Sequence, residues 1–529
     1  MTTLSRCIGG CLVAASLGLG AQTSTPVDLS RVEMRDSGST LAEGWQRGAF
    51  MEIFVRGYRD SDGDGIGDLR GVTQSLDYLQ RLGIRGIWLM PITTSADRDH
   101  GYATTDFRRI EPQYGTLEDF DTLLREAHAR GIGVIMDYVI NHSAAEHPLF
   151  VSAARGVDQP FREWFVWQDV APMGWEIWGN DPWIQTGQGA YMATFGPQMP
   201  DFNFRNPTVV QYHKDSLRFW LNRGLDGYRL DAVPHLIENN AKDWNDQPES
   251  RTITGELRSL INGYSKRYTV CEATAKPLDY AAHDLCASSF AFGHQYELVK
   301  AAKGDTKAIK KVAQYFVTAP VGMATFLSNH DGFGGQRAWD QFQGNLAQYR
   351  LAAATYLLQP GIPFLYYGEE IGLAGAKGLV GDGPLRSPMS WTADPQRAGF
   401  TTAQPYRPIA PNSVRYNAAT GQKDPKSLWS FYRDLLHLRN SHPSLSEGAY
   451  QHPFVDGKLL GFQRTHGAQT ALVLINYGTK AVRANVASDA SAQWKQVFPQ
   501  TRQALKSVLR GALVVAVPAQ SVQVFVRQP

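Results

Sequence analysis

From residue 51 onward the chain repeats one unit, a short apolar run with strand character followed by an amphipathic stretch with helical spacing. Residues 51–55 read as a strand, and Leu69, Val72, Leu76, Leu79 and Leu82 then recur every three or four positions, which marks a helix. Residues 86–90 form the next strand, Phe120, Leu123, Leu124 and Ala127 the next helical face, and residues 133–139 a third strand. Apolar runs joined by crossover helices imply parallel strands buried on both faces. After an interruption the alternation resumes with Leu217, Trp220 and Leu221, then strands at 227–232, 268–273, 288–292, 324–328 and 363–367, the sixth being the weakest. Eight strands with interleaved helices predict a closed (β/α)8 TIM barrel.

That barrel is expected over residues 46–142 and 206–445. The interruption, 143–205, has no clear helix–strand unit but carries Trp164, Trp167, Trp175, Trp178 and Trp183. So long an irregular insert reads as a small domain of its own, a domain B after strand three. Its tryptophans fit a core more readily than sugar platforms. Past residue 446 short β runs with turns, such as 471–475 and 521–526, predict a C-terminal antiparallel β-sandwich over 446–529. Residues 22–45 are polar and aperiodic and read as a linker.

Residues 1–21, with Arg6 and an apolar run ending in small residues at Ala21, match a secretory signal peptide. Export to the periplasm or the medium is therefore expected. Cys7 and Cys11 leave with that signal, so Cys271 and Cys286 remain, either as a disulfide or as two buried thiols. No later stretch approaches ~18 apolar residues, so no membrane span is expected in the body of the chain. The 52 Lys+Arg against 50 Asp+Glu leave a net charge of +2, which excludes an electrostatic case for a nucleic-acid partner. A monomer is expected.

In a barrel of this kind catalytic groups project from the C-terminal ends of the strands. Strand three ends in Asp137-Tyr-Val-Ile-Asn141-His142, strand four in Gly227-Tyr-Arg229-Leu-Asp231-Ala-Val-Pro-His235, strand five in Cys271-Glu272-Ala273, and strand seven in Phe326-Leu-Ser-Asn329-His330-Asp331. Charged residues inside apolar runs are costly to bury without partners, so their convergence asks for a function. Glycoside hydrolysis suits them, because it needs one carboxylate to attack the anomeric carbon and a second, protonated, to release the leaving oxygen. Arg229 shares a strand face with Asp231 and is expected to hold it ionised, as a nucleophile requires. Glu272 has no adjacent cation in sequence, so a raised pKa and an acid role suit it. Adjacent strands lie ~5 Å apart, which fits the ~5–5.5 Å carboxyl separation of a retaining enzyme. Asp137 reads as structural, steadying the mouth with Arg229.

These four segments, in this order, resemble the short conserved stretches of the α-amylase superfamily of retaining glycoside hydrolases, and the resemblance spans roughly residues 46–529. It implies that Asp231 is the nucleophile, Glu272 the acid/base and Asp331 a third carboxylate gripping sugar hydroxyls. It implies further that Arg229, His142 and His330 line the same sugar subsite. In Asp99-His100-Gly101-Tyr102, Tyr102 resembles the aromatic platform under that sugar, with Asp99 nearby. Arg386, within the stretch 381–391, is expected to pair with Asp99. His235 either touches a neighbouring subsite or caps its strand.

A separate signal lies in Asp60-Ser-Asp62-Gly-Asp64-Gly-Ile66-Gly-Asp68. Oxygens from Asp60, Asp62, Asp64, the Ile66 carbonyl and Asp68 follow the start of a calcium loop, although Gly71 stands where an EF-hand has its bidentate Glu. One structural Ca²⁺ is expected here. The superfamily's second calcium site would use Asn141 and the His235 carbonyl. Finally, Met199-Pro200-Asp201-Phe202-Asn203 resembles the variant in exported bacterial α-amylases that lie between oligo-1,6-glucosidases and neopullulanases. The expected reaction is therefore α-amylase cleavage of α-1,4 bonds in starch, maltodextrins and maltooligosaccharides. An Asp99–Arg386 pair instead resembles the pocket-closing pair of exo-acting enzymes, which keeps α-glucosidase action or glucosyl transfer as the alternative.

Overall fold

Eight short strands close into one parallel barrel in the computed structural model, which describes residues 26–97, 99–489, 491–500, 506–507 and 511–527. They are β1 (Phe50–Ile53), β2 (Gly86–Leu89), β3 (Gly133–Tyr138), β4 (Gly227–Leu230), β5 (Tyr268–Cys271), β6 (Ser289–Phe290), β7 (Met323–Thr325) and β8 (Ile362–Tyr366). Each pairs in parallel with its sequence neighbours, and β8 returns to β1. All strand residues are buried, which explains why the sequence shows unbroken apolar runs rather than alternation. The sixth strand, weakest in the sequence, is the shortest here.

The lower end of the barrel is filled with rings. Phe50 stacks on Phe364 at 4.8 Å and lies 5.1 Å from Tyr268, with Trp45 against both Phe50 and Tyr268. Two strand-initial glycines make the room. A Cβ on Gly86 would stand 2.3 Å from the Phe50 ring, and one on Gly133 would stand 2.2 Å from the Trp45 ring. Trp45 also donates its indole N–H to the Lys266 carbonyl at 3.0 Å.

The stretch preceding Trp45, which reads as a linker in sequence, packs along the barrel. Arg108 donates to the Ser30 carbonyl, Asn222 to the Glu33 carbonyl and Lys266 to the Leu41 carbonyl, at 2.8–2.9 Å. The Ser265 amide donates to Asp36 at 3.0 Å. These are polar contacts without periodicity, so hydrophobic patterning carried no sign of them. The signal-peptide expectation falls on residues 1–21, outside the described residues.

Between β3 and β4 the insert forms a three-stranded antiparallel sheet, Trp167–Gln168, Gly189–Met192 and Trp183–Thr186. It is stitched to the barrel by the bridge His142–Asp201, and the bridge Phe165–Phe202 closes it on itself. Trp164 and Trp183 are buried as expected of a core, whereas Trp178 is 58% exposed. The C-terminal region is antiparallel, a six-stranded and a two-stranded sheet sharing a core of Leu472, Leu474, Val486, Trp494, Val515 and Phe525. Two buried arginines pack at its junction with the barrel, and Arg464 crosses it. Arg439 donates to the carbonyls of Leu357, Gln359, Gly361 and Leu445, and Arg464 to those of Leu358 and Gly448. Cys271 and Cys286 form a disulfide, which resolves the two alternatives and ties the end of β5 to the segment entering β6.

Candidate active site

The strand register brings the polar ends together. In β4 and β5, Arg229 lies opposite Val270 and Leu230 opposite Cys271, so Asp231 and Glu272 leave the barrel side by side. Between them stands Arg229, fully buried. One of its terminal nitrogens donates to Asp137 at 2.8 Å and also to Asp231, and the other lies 2.9 Å from Glu272. Its guanidinium packs 5.3 Å from the Trp88 ring centre.

One expectation needs correcting on this point. Glu272 does have a neighbouring cation, because Arg229 crosses from the adjacent strand, a contact invisible to local sequence. Arg229 does favour the ionised form of Asp231, as expected, but its pull is divided. One guanidinium is shared among three buried carboxyls, so burial wins. Burial lifts Asp231 to about 6 against the pull of Arg229, and lifts Glu272 to about 7 against the same pull. The interaction between the two carboxyls lowers Asp231 and raises Glu272, so the proton favours Glu272. Glu272 also accepts the Ala232 amide at 3.1 Å. Asp137, likewise raised by burial to about 6, accepts from the Tyr102 hydroxyl at 2.7 Å as well as from Arg229, which fits the structural role read from the sequence.

The third carboxylate has a different environment. Asp331 lies 3.0 Å from His330 and 3.4 Å from Arg386. Although burial opposes it, these cations hold its carboxyl well below the usual range. His330 is flanked on its other nitrogen by Glu52 at 2.6 Å. Burial alone would lower the imidazole, but Asp331 and Glu52 push it up to about 10. His330 is therefore an imidazolium at neutral pH, stacked on Tyr102 at 5.4 Å. Glu52 was overlooked in the sequence. Its signal was a lone acid in an apolar strand, two positions after Phe50 and so on the same inward face.

The remaining expected residues are close by. Arg386 pairs with Asp99 at 3.1 Å, and Arg407, also overlooked, reaches the other Asp99 oxygen at 2.6 Å. His142 meets the Tyr102 carbonyl at 3.2 Å, and its imidazole is pulled down to about 3 by burial, so it is neutral. His235 is buried, lowered to about 4 by desolvation, and stacked on Trp244. Asn141 donates to Asp201 at 2.9 Å; burial raises Asp201 to about 7, and Glu238 beside it is raised further.

In the acidic loop, Asp60, Asp62 and Asp68 bring carboxylate oxygens within 4.8 Å of one another, but Asp64 is outside that group and accepts instead from the Ile66 amide at 2.8 Å. Burial and then repulsion from Asp64 and Asp68 raise Asp62, the strain a cation would relieve. Asp60 bonds to Thr401, so the loop is fastened to the segment near residue 400.

The family model described as "Alpha amylase, catalytic domain" matches residues 52–448. Alpha-amylase 3 of Dictyoglomus thermophilum is 34% identical over 416 residues, 77% of this chain and 80% of that protein. An alpha-glucosidase of Pediococcus pentosaceus is 30% identical over 515 residues, 82% of this chain and 92% of that protein. Among solved structures, the alpha-amylase from H. orenii superposes with a TM-score of 0.80 at 31% identity, covering 91% of this chain and all of that one.

Proposed function

The chain belongs to the α-amylase family of glycoside hydrolases, and from that premise we propose that it cleaves α-1,4-glucosidic bonds in maltooligosaccharides, maltodextrins and starch with retention of configuration. The observation that carries this reading is the Arg229 hub, which holds the Asp231 and Glu272 carboxyls together at the ends of adjacent strands, where burial raises both. Asp231 attacks the anomeric carbon while the bond to the leaving oxygen breaks and Glu272 gives that oxygen its proton. Glu272, now a carboxylate, takes a proton from water. The resulting hydroxide oxygen attacks the same carbon, and Asp231 leaves as the carboxylate it was. Asp331 and Arg386 grip hydroxyls of the sugar in the cleft, and the His330 imidazolium, held by Glu52 on one nitrogen, steadies Asp331 with the other.

A second reading is exo action or glucosyl transfer on short maltooligosaccharides. The Asp99–Arg386–Arg407 group favours it, because it places fixed charges where a longer chain would have to pass. A product time course on maltoheptaose and starch separates the two. Mixed oligomers at early times support the amylase reading; glucose alone supports exo action, and products longer than the substrate support transfer.

The loop residues Asp60, Asp62 and Asp68 suit a hard cation, and Ca²⁺ held there would stabilise the fold without entering the reaction.

A further inference from the structure

Trp178 is the feature of the insert that neither its core nor the carboxylate chemistry explains. It is 58% exposed, and it sits with Gly179 at the tip of a two-residue hairpin. Ile177 and Asn180 close the hairpin by exchanging backbone hydrogen bonds of 2.8 and 3.0 Å. Both tip residues have positive φ, 49° at Trp178 and 84° at Gly179. Such a turn favours Asn, Asp or Gly at its first position, since a side chain there strains the backbone. A large apolar ring kept at a strained, solvent-facing position points to a role outside the protein's own packing.

Its neighbours give the direction. The Trp178 ring lies 5.3 Å from His235, 5.5 Å from Phe195 and 5.5 Å from Trp244. Phe195 continues to His142 at 5.1 Å. The aromatic wall is thus continuous with the mouth, and it joins the mouth on one particular side. Glu272 accepts from the Ala232 amide, and the turn Val233–His235 follows directly, so the wall begins beside the group that protonates the leaving oxygen.

We infer that Trp178, backed by Phe195 and Trp244, is a stacking platform for glucosyl units on the leaving-group side of the scissile bond, and that it sets the preference for longer chains. The inference rests on the glycosidase reading. A pyranose ring presents an apolar face of C–H groups and an equatorial rim of hydroxyls, which matches an exposed indole.

The test compares Trp178→Ala and Trp178→Phe with wild type on two substrates. Maltoheptaose extends across the wall, whereas α-glucosyl fluoride places only a fluoride ion beyond the reacting carbon. In Trp178→Ala, kcat/KM for maltoheptaose is expected to fall about tenfold, mainly through KM, with the rate on α-glucosyl fluoride changed less than about twofold. Trp178→Phe should recover most of the loss. Equal losses on both substrates, or no loss on maltoheptaose, would overturn the platform. If the wild type turned over neither substrate, the glycosidase reading itself would fail, a result distinct from either.

Discussion

The two ends of the barrel are built from the same eight strands and are chemically opposite. At the floor, Trp45, Phe50, Tyr268 and Phe364 fill the lumen with rings and almost no polar atoms. At the mouth, two positions further along the inward faces, Glu52, Arg229 and the strand-end acids take their place. Burying rings stabilises; burying charges costs several kcal/mol per ion before partners offset it. The floor therefore holds the fold together, and the mouth spends stability to keep Asp231 and Glu272 with raised pKa values. Substitutions at the two ends should fail in opposite ways.

The sharpest break in that comparison comes from Asp231→Asn. It should reduce turnover by roughly four to six orders of magnitude while the melting temperature holds or rises, since it removes a buried carboxylate. Near-normal activity in the purified variant would end its assignment as nucleophile. At the other end, Trp45→Ala should lower stability by about 3–5 kcal/mol in denaturant unfolding, with kcat per folded molecule unchanged. If Trp45→Ala instead lost activity without losing stability, the floor would not be the passive end.

The pH profile sharpens the contrast further. Asp231 must be ionised and Glu272 protonated, so kcat/KM should rise as pH climbs through about 6 and fall as it passes about 7. These limbs belong to the coupled pair rather than to either residue alone. Trp45→Ala should leave both limbs in place. A broad plateau from pH 5 to 9 would contradict the shared-proton arrangement. The smallest effect concerns the acidic loop. Chelation should lower the melting temperature by a few degrees and leave initial rates unchanged, as expected of a ligand binding only the native state. Asp62→Ala should mimic the chelator, and Asp64→Ala should do so less, because Asp64 stands outside the cluster. Identical wild-type melting curves with EDTA and with excess Ca²⁺ would exclude a stabilising exchangeable ion.

Much of this was legible in the sequence because strands buried on both faces leave unbroken apolar runs, and acids ending such runs stand out. Asp137, Arg229, Asp231, Glu272 and Asp331 all announce themselves that way. What escaped were contacts made across strands or without a period. Arg229 reaches Glu272 from the next strand, Arg407 reaches Asp99 from more than three hundred residues away, and residues 26–44 dock by scattered backbone carbonyls. Trp178 was hidden among four other tryptophans of the insert, and only its exposure and its turn set it apart.

The central claim is that Glu272 holds the proton given to the leaving oxygen. Measuring Glu272→Gln on maltoheptaose and on α-glucosyl fluoride tests it directly. Maltoheptaose, whose leaving oxygen needs a proton, should lose at least about a thousandfold in kcat/KM, whereas glycosylation by α-glucosyl fluoride, whose leaving group needs far less acid assistance, should lose about tenfold or less. Equal losses on the two substrates would contradict the assignment and move the acid elsewhere in the mouth.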